Sequence, residues 1–434
     1  MPYLFDTFYL LLLLCLSPWL LYKSLRTGKY RRGLLRKFLG TAFLRDGDAP
    51  CVWFHGVSVG EIHLLRQVIA RFRQTYPDWD CVVSTTTDTG YQEACKRFPD
   101  LAICYWPWDF SWAVHRALRA VNPTLVVLAE GEIWPNFLIA AKRRAVPVAV
   151  INGRLSPRSF RNYSRVRLLA RYLLRHLDLI AVQTEEYALS FRALGVPPEC
   201  LHVTGSVKYD GVSADRTNRQ TAELGRLFDV QEHDLVWLAG STQAPEEQII
   251  LDIFVRIRRQ YPRLRLFLVP RQRERFEEVA GLLQRSGQAF VRRSGLAKPV
   301  EDRKAIVLMD TIGELGALWG LAELAYVGGS LDGHRGGQNM IEPAAYGAAV
   351  FFGPHVWNFR DTAHRLVSAR AALQVADAKE LENVVQNLLA DPLERQRMGG
   401  AAQQLVRSQQ GATQRTVECL GRLLTSYRRC DSAA

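Results

Sequence analysis

Short runs of uniformly apolar residues recur along this chain, separated by longer amphipathic stretches. In the first half the runs are Cys51 to Phe54, Cys81 to Val83, Leu125 to Leu128, Val146 to Ile151 and Leu179 to Val182. After a polar stretch around Ser213 to Glu223 a second series follows: Leu235 to Leu238, Leu264 to Val269, Ala305 to Leu308, Leu324 to Val327 and Ala349 to Phe352. Each run has the length of a strand buried on both faces, and the helix-length segments between them suit crossovers of a parallel sheet. The pattern predicts two βα-repeating halves, with boundaries at residues 25–212 and 213–434. Folds of this kind bind ligands beyond the carboxyl ends of their strands, so the cleft between the halves is the expected active site. The last stretch, Pro392 to Arg429, reads as helical and could return to the first half.

The N-terminal segment breaks this rhythm. From Leu4 to Tyr22 it is apolar apart from Asp6, Thr7 and Ser17, a marginal length for a bilayer span. Lys23, Arg26, Lys29, Arg31, Arg32, Arg36 and Lys37 follow it and nothing basic precedes it, which by the positive-inside rule places the following domain in the cytoplasm. A cleaved signal peptide would carry its charge before the apolar core and a small-residue site after it; both are missing. A helix lying in the interface stays open through Pro18 and the short length. The expectation is a single anchor over residues 1–24 with catalytic domains on the cytoplasmic side.

Composition narrows the partners. The 434 residues are 48% hydrophobic and 23% charged, which fits a two-domain enzyme. A net charge of +13 points to an anionic partner: nucleic acid, a membrane surface or a phosphorylated lipid. With no aromatic and basic recognition motif, nucleic acid is the weakest of these. The eight cysteines form no Cys-x-x-Cys pair, and Cys51, Cys81 and Cys104 lie in or beside apolar runs, which argues for a reducing compartment and no zinc site. Asp46-Gly47-Asp48 spells a carboxylate pair of the kind that holds metal elsewhere, but in a polar loop it reads better as a solvated turn. Neither metal nor cofactor is expected.

Candidate chemistry clusters after the predicted strands. His55-Gly56-Val57-Ser58-Val59-Gly60-Glu61 turns tightly into an amphipathic helix, where Glu61 could act as a general base or simply complement the helix dipole. Glu130 and Glu132, in Glu130-Gly131-Glu132-Ile133-Trp134-Pro135-Asn136, stand at another strand end. Arg154 and Arg158 follow the next strand, and Arg158, Arg161 and Arg165 recur at helical spacing, able to meet acceptor phosphates or to form a solvated face. In the second half, Ser241 and Thr242 end a strand at a glycine turn where a phosphate could sit. Arg271 and Lys208 could offset charge on a leaving phosphate. Gly313 and Glu314 lie at a strand-to-helix turn that could expose main-chain groups to a nucleobase. The glycines from Gly328 to Gly337 precede Asn339, which could open a helix carrying Glu342, a carboxylate suited to ribose hydroxyls.

Together these segments resemble the Kdo transferases of lipopolysaccharide synthesis along nearly the whole chain. The matching stretches are Tyr30-Arg31-Arg32, His55 to Glu61, Glu130 to Asn136, Asn152 to Ser159, Thr204 to Asp210, Ala239 to Glu247, Leu268 to Arg271, Gly328 to Pro343 and Phe352 to His355. The resemblance implies an α/β GT-B glycosyltransferase, two Rossmann-like domains behind an N-terminal anchor in a bacterial inner membrane. It implies inverting transfer of Kdo from CMP-Kdo to a lipid A precursor (lipid IVA) at an anionic membrane surface. It makes Glu61 the catalytic base and sets Ser241, Thr242, Arg271, Gly313, Glu314, Asn339 and Glu342 around CMP. Many relatives carry histidine where this chain has Gln243, Gln272 and Gln338. The alternatives are a GT-B transferase using a UDP-sugar in envelope synthesis and a tethered lectin-like protein without turnover.

Overall fold

The computed structural model describes residues 2–27, 33–41, 44–45 and 47–431. Lys29, the Tyr30-Arg31-Arg32 segment and Asp46 lie outside them. The chain forms two compact units, residues 1–210 with 410–434, and residues 211–409.

The first unit runs α1 (Pro2–Thr27), α2 (Leu34–Leu39), β1 (Cys51–His55), α3 (Val59–Thr75), β2 (Asp80–Thr85), α4 (Asp88–Arg97) and β3 (Ala102–Tyr105). It continues through α5 (Ser111–Val121), β4 (Leu125–Ala129), α6 (Pro135–Arg143), β5 (Val148–Gly153), α7 (Pro157–Arg165), α8 (Arg167–Leu174), β6 (Leu179–Val182), α9 (Glu185–Ala193) and β7 (Leu201–Val203). Its seven strands lie in the order β3-β2-β1-β4-β5-β6-β7, all parallel, with Trp53 of β1 level with Val82 of β2 and Val126 of β4. Alternate residues of β1 feed opposite faces, as a pleated strand requires. Cys51 and Trp53 pack with Val114, Phe137 and Leu174, while Val52 and Phe54 pack with Leu65, Phe72 and Leu420. Each such fully buried large side chain contributes roughly 1.5–3 kcal/mol. Both faces are covered, which is why these strands read as continuous apolar runs.

The second unit contains α10 (Arg219–Leu227), β8 (Leu235–Thr242), α11 (Glu246–Ile257), β9 (Leu264–Pro270), α12 (Phe276–Arg285), β10 (Phe290–Arg292), β11 (Ile306–Leu308) and α13 (Leu315–Leu318). It closes with β12 (Leu324–Val327), α14 (Ile341–Ala345), β13 (Ala349–Phe352), α15 (Arg360–Ser368), β14 (Ala372–Gln374), α16 (Ala378–Ala390) and α17 (Pro392–Gln409). Its strands are again parallel, in the order β10-β11-β9-β8-β12-β13-β14. In each sheet the strand order reverses beside the first strand, between β1 and β4 and between β8 and β12. Such switch points leave a crevice at the carboxyl ends.

The last helix, α18 (Ala412–Asp431), belongs to the first unit, where Ala412, Val417 and Leu420 join the core beneath α3. Asp210 fastens its start by accepting the N–H groups of Gly411, at 2.7 Å, and Thr413.

The N-terminal segment corrects the expectation of a membrane anchor. It is helical, but no helix of the described residues is long and apolar enough to cross a membrane. The expected inner-membrane placement with cytoplasmic catalytic domains rested on that span and falls with it. One physical reason is visible: Asp6, 6% exposed, lies within the apolar stretch and is hydrogen-bonded into the first unit, as is Tyr9. The first turns of α1 are docked on protein.

Candidate active site

The chain leaves β1 at His55 and starts α3 at Val59, with Ser58 as the N-cap. Ser58 Oγ accepts the Glu61 N–H at 3.4 Å, and its hydroxyl donates to Glu61 Oε1 at 2.9 Å. The Val57 N–H donates to Glu61 Oε2 at 2.8 Å. This is a Ser-x-x-Glu cap in which Glu61 reaches the N–H of Val57, one residue before the N-cap, so Glu61 does serve the helix start, and its carboxylate is thereby held in one orientation. Gly56 makes room for it: a Cβ there would stand 3.1 Å from Glu61 Cβ and from Leu65 Cδ1.

A second acidic loop follows β4, where Glu130 and Gly131 both take left-handed backbone angles, φ 59° and 102°. Glu130 Oε2 lies 3.0 Å from Arg154 Nη2, and its Oε1 lies 3.0 Å from Lys208 Nζ. Asn152 Nδ2 donates to the same Oε1 at 3.3 Å, while Asn152 Oδ1 accepts the Val207 N–H at 3.1 Å. Lys208, which the sequence suggests for a leaving phosphate, belongs to the first unit and pairs there with the acidic loop. Arg158 is exposed in the first turn of α7. Asn152 is not among the site residues the sequence points to, although an Asn-Gly pair ending an apolar run favours left-handed backbone, and Asn152, at the end of β5, has φ 52°.

These carboxylates act on one another. Burial pushes the Glu61 carboxyl above its ordinary range, the Val57 and Ser58 hydrogen bonds pull it back, and repulsion from Glu130 and Glu132 raises it again. Burial likewise raises Glu132. A carboxylate shifted toward neutrality is a better proton acceptor than an ordinary surface glutamate.

In the second unit, β8 ends in Ser241, with φ 57°, and Thr242, both buried. Beside them Glu246 accepts the N–H groups of Gln243 (2.9 Å), Gly329 (2.7 Å), Ser330 (3.0 Å) and Leu331 (3.1 Å), and the Tyr326 hydroxyl (2.7 Å). The glycine-rich turn after β12 was expected to approach a ligand directly. Its first amides are instead occupied by this internal carboxylate, and Gly328 is small because a Cβ would fall 2.6 Å from Thr242 Cα. The Glu246-Glu247 pair opening α11 was the available signal.

The remaining candidates converge on the same edge of this sheet. Asn339 Oδ1 accepts the Ile341 N–H at 3.1 Å, and its amide donates to Glu342 Oε1 at 3.0 Å. Burial raises the Glu342 carboxyl, while Asn339 and the charge of Arg271 lower it. Arg271 is exposed, with its N–H bonded to Thr242 O at 3.1 Å. Gly313 has φ 102° and open space where a side chain would be. Glu314 is engaged by Arg293, with Nη2 at 2.9 Å, and by the Thr311 hydroxyl. Among the described residues no cluster of His, Cys, Asp and Glu has the grouping of a metal site.

A family model for 3-deoxy-D-manno-octulosonic-acid transferase (kdotransferase) matches residues 28–211. The 3-deoxy-D-manno-octulosonic acid transferase of Haemophilus influenzae is 33% identical over 422 residues, 95% of this chain and 97% of that protein. The Bordetella pertussis enzyme of the same name is 33% identical over 382 residues, 86% of this chain and 87% of that one. Among solved structures, UDP-GlcNAc 2-epimerase from Neisseria meningitidis aligns over 86% of this chain and all of its own, with TM-score 0.58 at 13% identity, a likeness of fold alone. The two Rossmann-like units are those of a GT-B protein. Similarity of this extent to the Haemophilus and Bordetella enzymes means that the chain belongs to the 3-deoxy-D-manno-octulosonic acid (Kdo) transferase family and is a glycosyltransferase.

Proposed function

We propose that the chain transfers Kdo from CMP-Kdo to a phosphorylated lipid A precursor, lipid IVA, with inversion at the anomeric carbon. Glu61 takes the proton of the acceptor hydroxyl as its oxygen attacks that carbon, and the bond to the CMP phosphate breaks. The observation that carries this reading is the setting of Glu61: a carboxylate oriented by Val57 and Ser58 and raised by burial beside two further acids. CMP leaves as a weakly basic phosphate, so Arg271 and the Ser241 turn suffice to receive its charge without a general acid. Glu342, held by Asn339, accepts the ribose hydroxyls, with Thr242, Gly313 and Glu314 around the nucleotide.

On the acceptor side, Glu130 with Arg154 and Lys208 forms a charged cradle, and Glu132 and Arg158 extend it. An anionic lipid is supported by the exposed arc of Arg158, Arg161 and Arg165 continuing into Val166 and Leu168, the last 87% exposed. Cationic and apolar groups side by side suit phosphates above acyl chains. The test is CMP release from CMP-Kdo with lipid IVA, followed by mass spectrometry of the lipid. The lipid should gain Kdo in step with CMP release. Turnover with a UDP-sugar in place of CMP-Kdo, or CMP release indifferent to the lipid, would reject the proposal.

A further inference from the structure

The docking of α1 leads directly to the acidic loop. Asp6 Oδ1 accepts the Ser111 N–H at 2.8 Å and the Asn136 side-chain amide at 3.0 Å, and its Oδ2 accepts the Ser111 hydroxyl. The Tyr9 hydroxyl donates to Asp109 Oδ2 at 3.0 Å, and its ring meets Phe110 edge-on. Asp109 in turn accepts the N–H groups of Asn136 (3.0 Å) and Phe137 (2.9 Å), the first turn of α6. The residues preceding α5 and α6, Phe110 and Trp134, provide no side-chain cap of their own. The N-terminal helix and the loop it touches therefore cap two helices at a distance.

One of those helices begins where the Glu130–Pro135 loop ends. The other end of that loop is tied by the Glu130 N–H to Ile151 O at 2.9 Å and by the ion pairs to Arg154 and Lys208. Glu132 lies between these two fixed ends, near enough to Glu61 to raise its carboxyl. Asp6, Asp109 and Asn136 are all at least nine-tenths buried, so this clasp is part of the interior and not a loose surface contact.

We propose that α1 is a clasp for the active site, in which Asp6 and Tyr9 are positioning residues that set the acceptor-side loop from Glu130 to Asn136. This rests on the assignment of Glu61 and the acidic loop to the acceptor reaction. A loop released at its α6 end lets Glu132 wander, and displacements of that kind near a reacting centre cost on the order of 10²-fold in rate.

The experiment uses the full chain with Asp6→Ala, Asp6→Asn and Tyr9→Phe, measuring kcat and KM for acceptor and donor separately, with hydrogen exchange at Asn136 and Phe137. Asp6→Ala should lower kcat/KM for the acceptor ~10-fold or more with the donor KM unchanged, and speed exchange at those amides. Asp6→Asn should restore most of the loss, because its amide oxygen still accepts the Ser111 N–H. Tyr9→Phe should show a smaller loss of the same kind and decides the matter if Asp6→Ala does not fold. The clasp is refuted if acceptor kinetics hold at the wild-type level, or if donor and acceptor parameters decline together with thermal stability. Glu61→Gln run alongside separates the two ideas: turnover surviving in that variant rejects the base assignment, while the clasp stands or falls on acceptor KM and exchange.

Discussion

Glu61 does two things with one carboxylate. It completes the cap of α3 with Ser58, and the same hydrogen bonds fix the oxygen that is proposed to take a proton. Sequence alone left helix capping and base catalysis as alternatives; the structure shows the capping, and in the proposed mechanism the same hydrogen bonds aim the base. Its neighbours tune it: Glu130, paired with Arg154 and Lys208, and Glu132, itself raised by burial, both add their repulsion. Removing that repulsion lowers the Glu61 carboxyl. Glu132→Gln should therefore move the acid limb of the pH–rate profile to lower pH, because the active form of a base is the deprotonated one. A limb that stays in place, or moves upward, contradicts the coupling. What the sequence hid at this scale were partners distant along the chain, such as Asn152 bridging Glu130 to Val207, since nothing local announces them.

Elements were legible in proportion to their burial. All ten apolar runs are strands, and the four strands they did not announce, β3, β7, β10 and β14, are the outer strands of the two sheets. At an edge only part of the strand meets the core: β10 has no fully buried residue, and β14 only Ala372. Without two covered faces there is no continuous apolar run to see. The glycine-rich turn after β12 was visible, but its occupant was not, because the reach of Glu246 across to Gly329 is a tertiary fact. Gly328→Ala follows from that packing. The added methyl meets Thr242 backbone, so the variant should lose ~1–3 kcal/mol of stability and disturb the Ser241 turn. Denaturant unfolding and CMP binding measure both, and an unaltered midpoint would remove the argument.

The α1 clasp carries a pH signature at this same scale. Burial pushes the Asp109 carboxyl up to about 7, against an ordinary 3.8; the Asn136, Phe137 and Tyr9 hydrogen bonds oppose the rise and Asp6 adds to it. Between those values the folded state holds a proton that the unfolded chain has released. This group's contribution to stability is therefore full below about pH 4 and declines as pH rises toward 7. The titratable groups acting on it are Tyr9 and Asp6 on α1; His115 on α5, which burial and nearby arginines keep low, interacts with Asp6. Urea unfolding from pH 4.5 to pH 7 should show wild-type stability declining with pH more steeply than that of Asp109→Asn, by at most about 1.4 kcal/mol per pH unit. Identical slopes would dismiss the shift.

At the scale of the molecule, two parallel sheets repeat one device: acidic or hydroxyl-bearing loops gathered where the strand order reverses. The first unit gathers the carboxylates and their cations, the second the Asn339–Glu342 pair and the Ser241 turn. That division was readable because each motif follows an apolar run directly. The N-terminal segment misled for a physical reason. Hydropathy registers Leu10 to Leu14 but not that Asp6 and Tyr9 are committed to hydrogen bonds with α5, Asp109 and Asn136. A net charge of +13 suits a phosphorylated acceptor, and the arginines of α7 and α8 place part of it beside exposed apolar groups. The proposed chemistry turns on Glu61 removing the acceptor proton. Its most direct measurement is single-turnover Kdo transfer to lipid IVA by Glu61→Gln, alongside CMP-Kdo affinity. Transfer should fall about 10²–10⁴-fold with donor affinity intact; transfer within a few-fold of wild type would rule Glu61 out as the base.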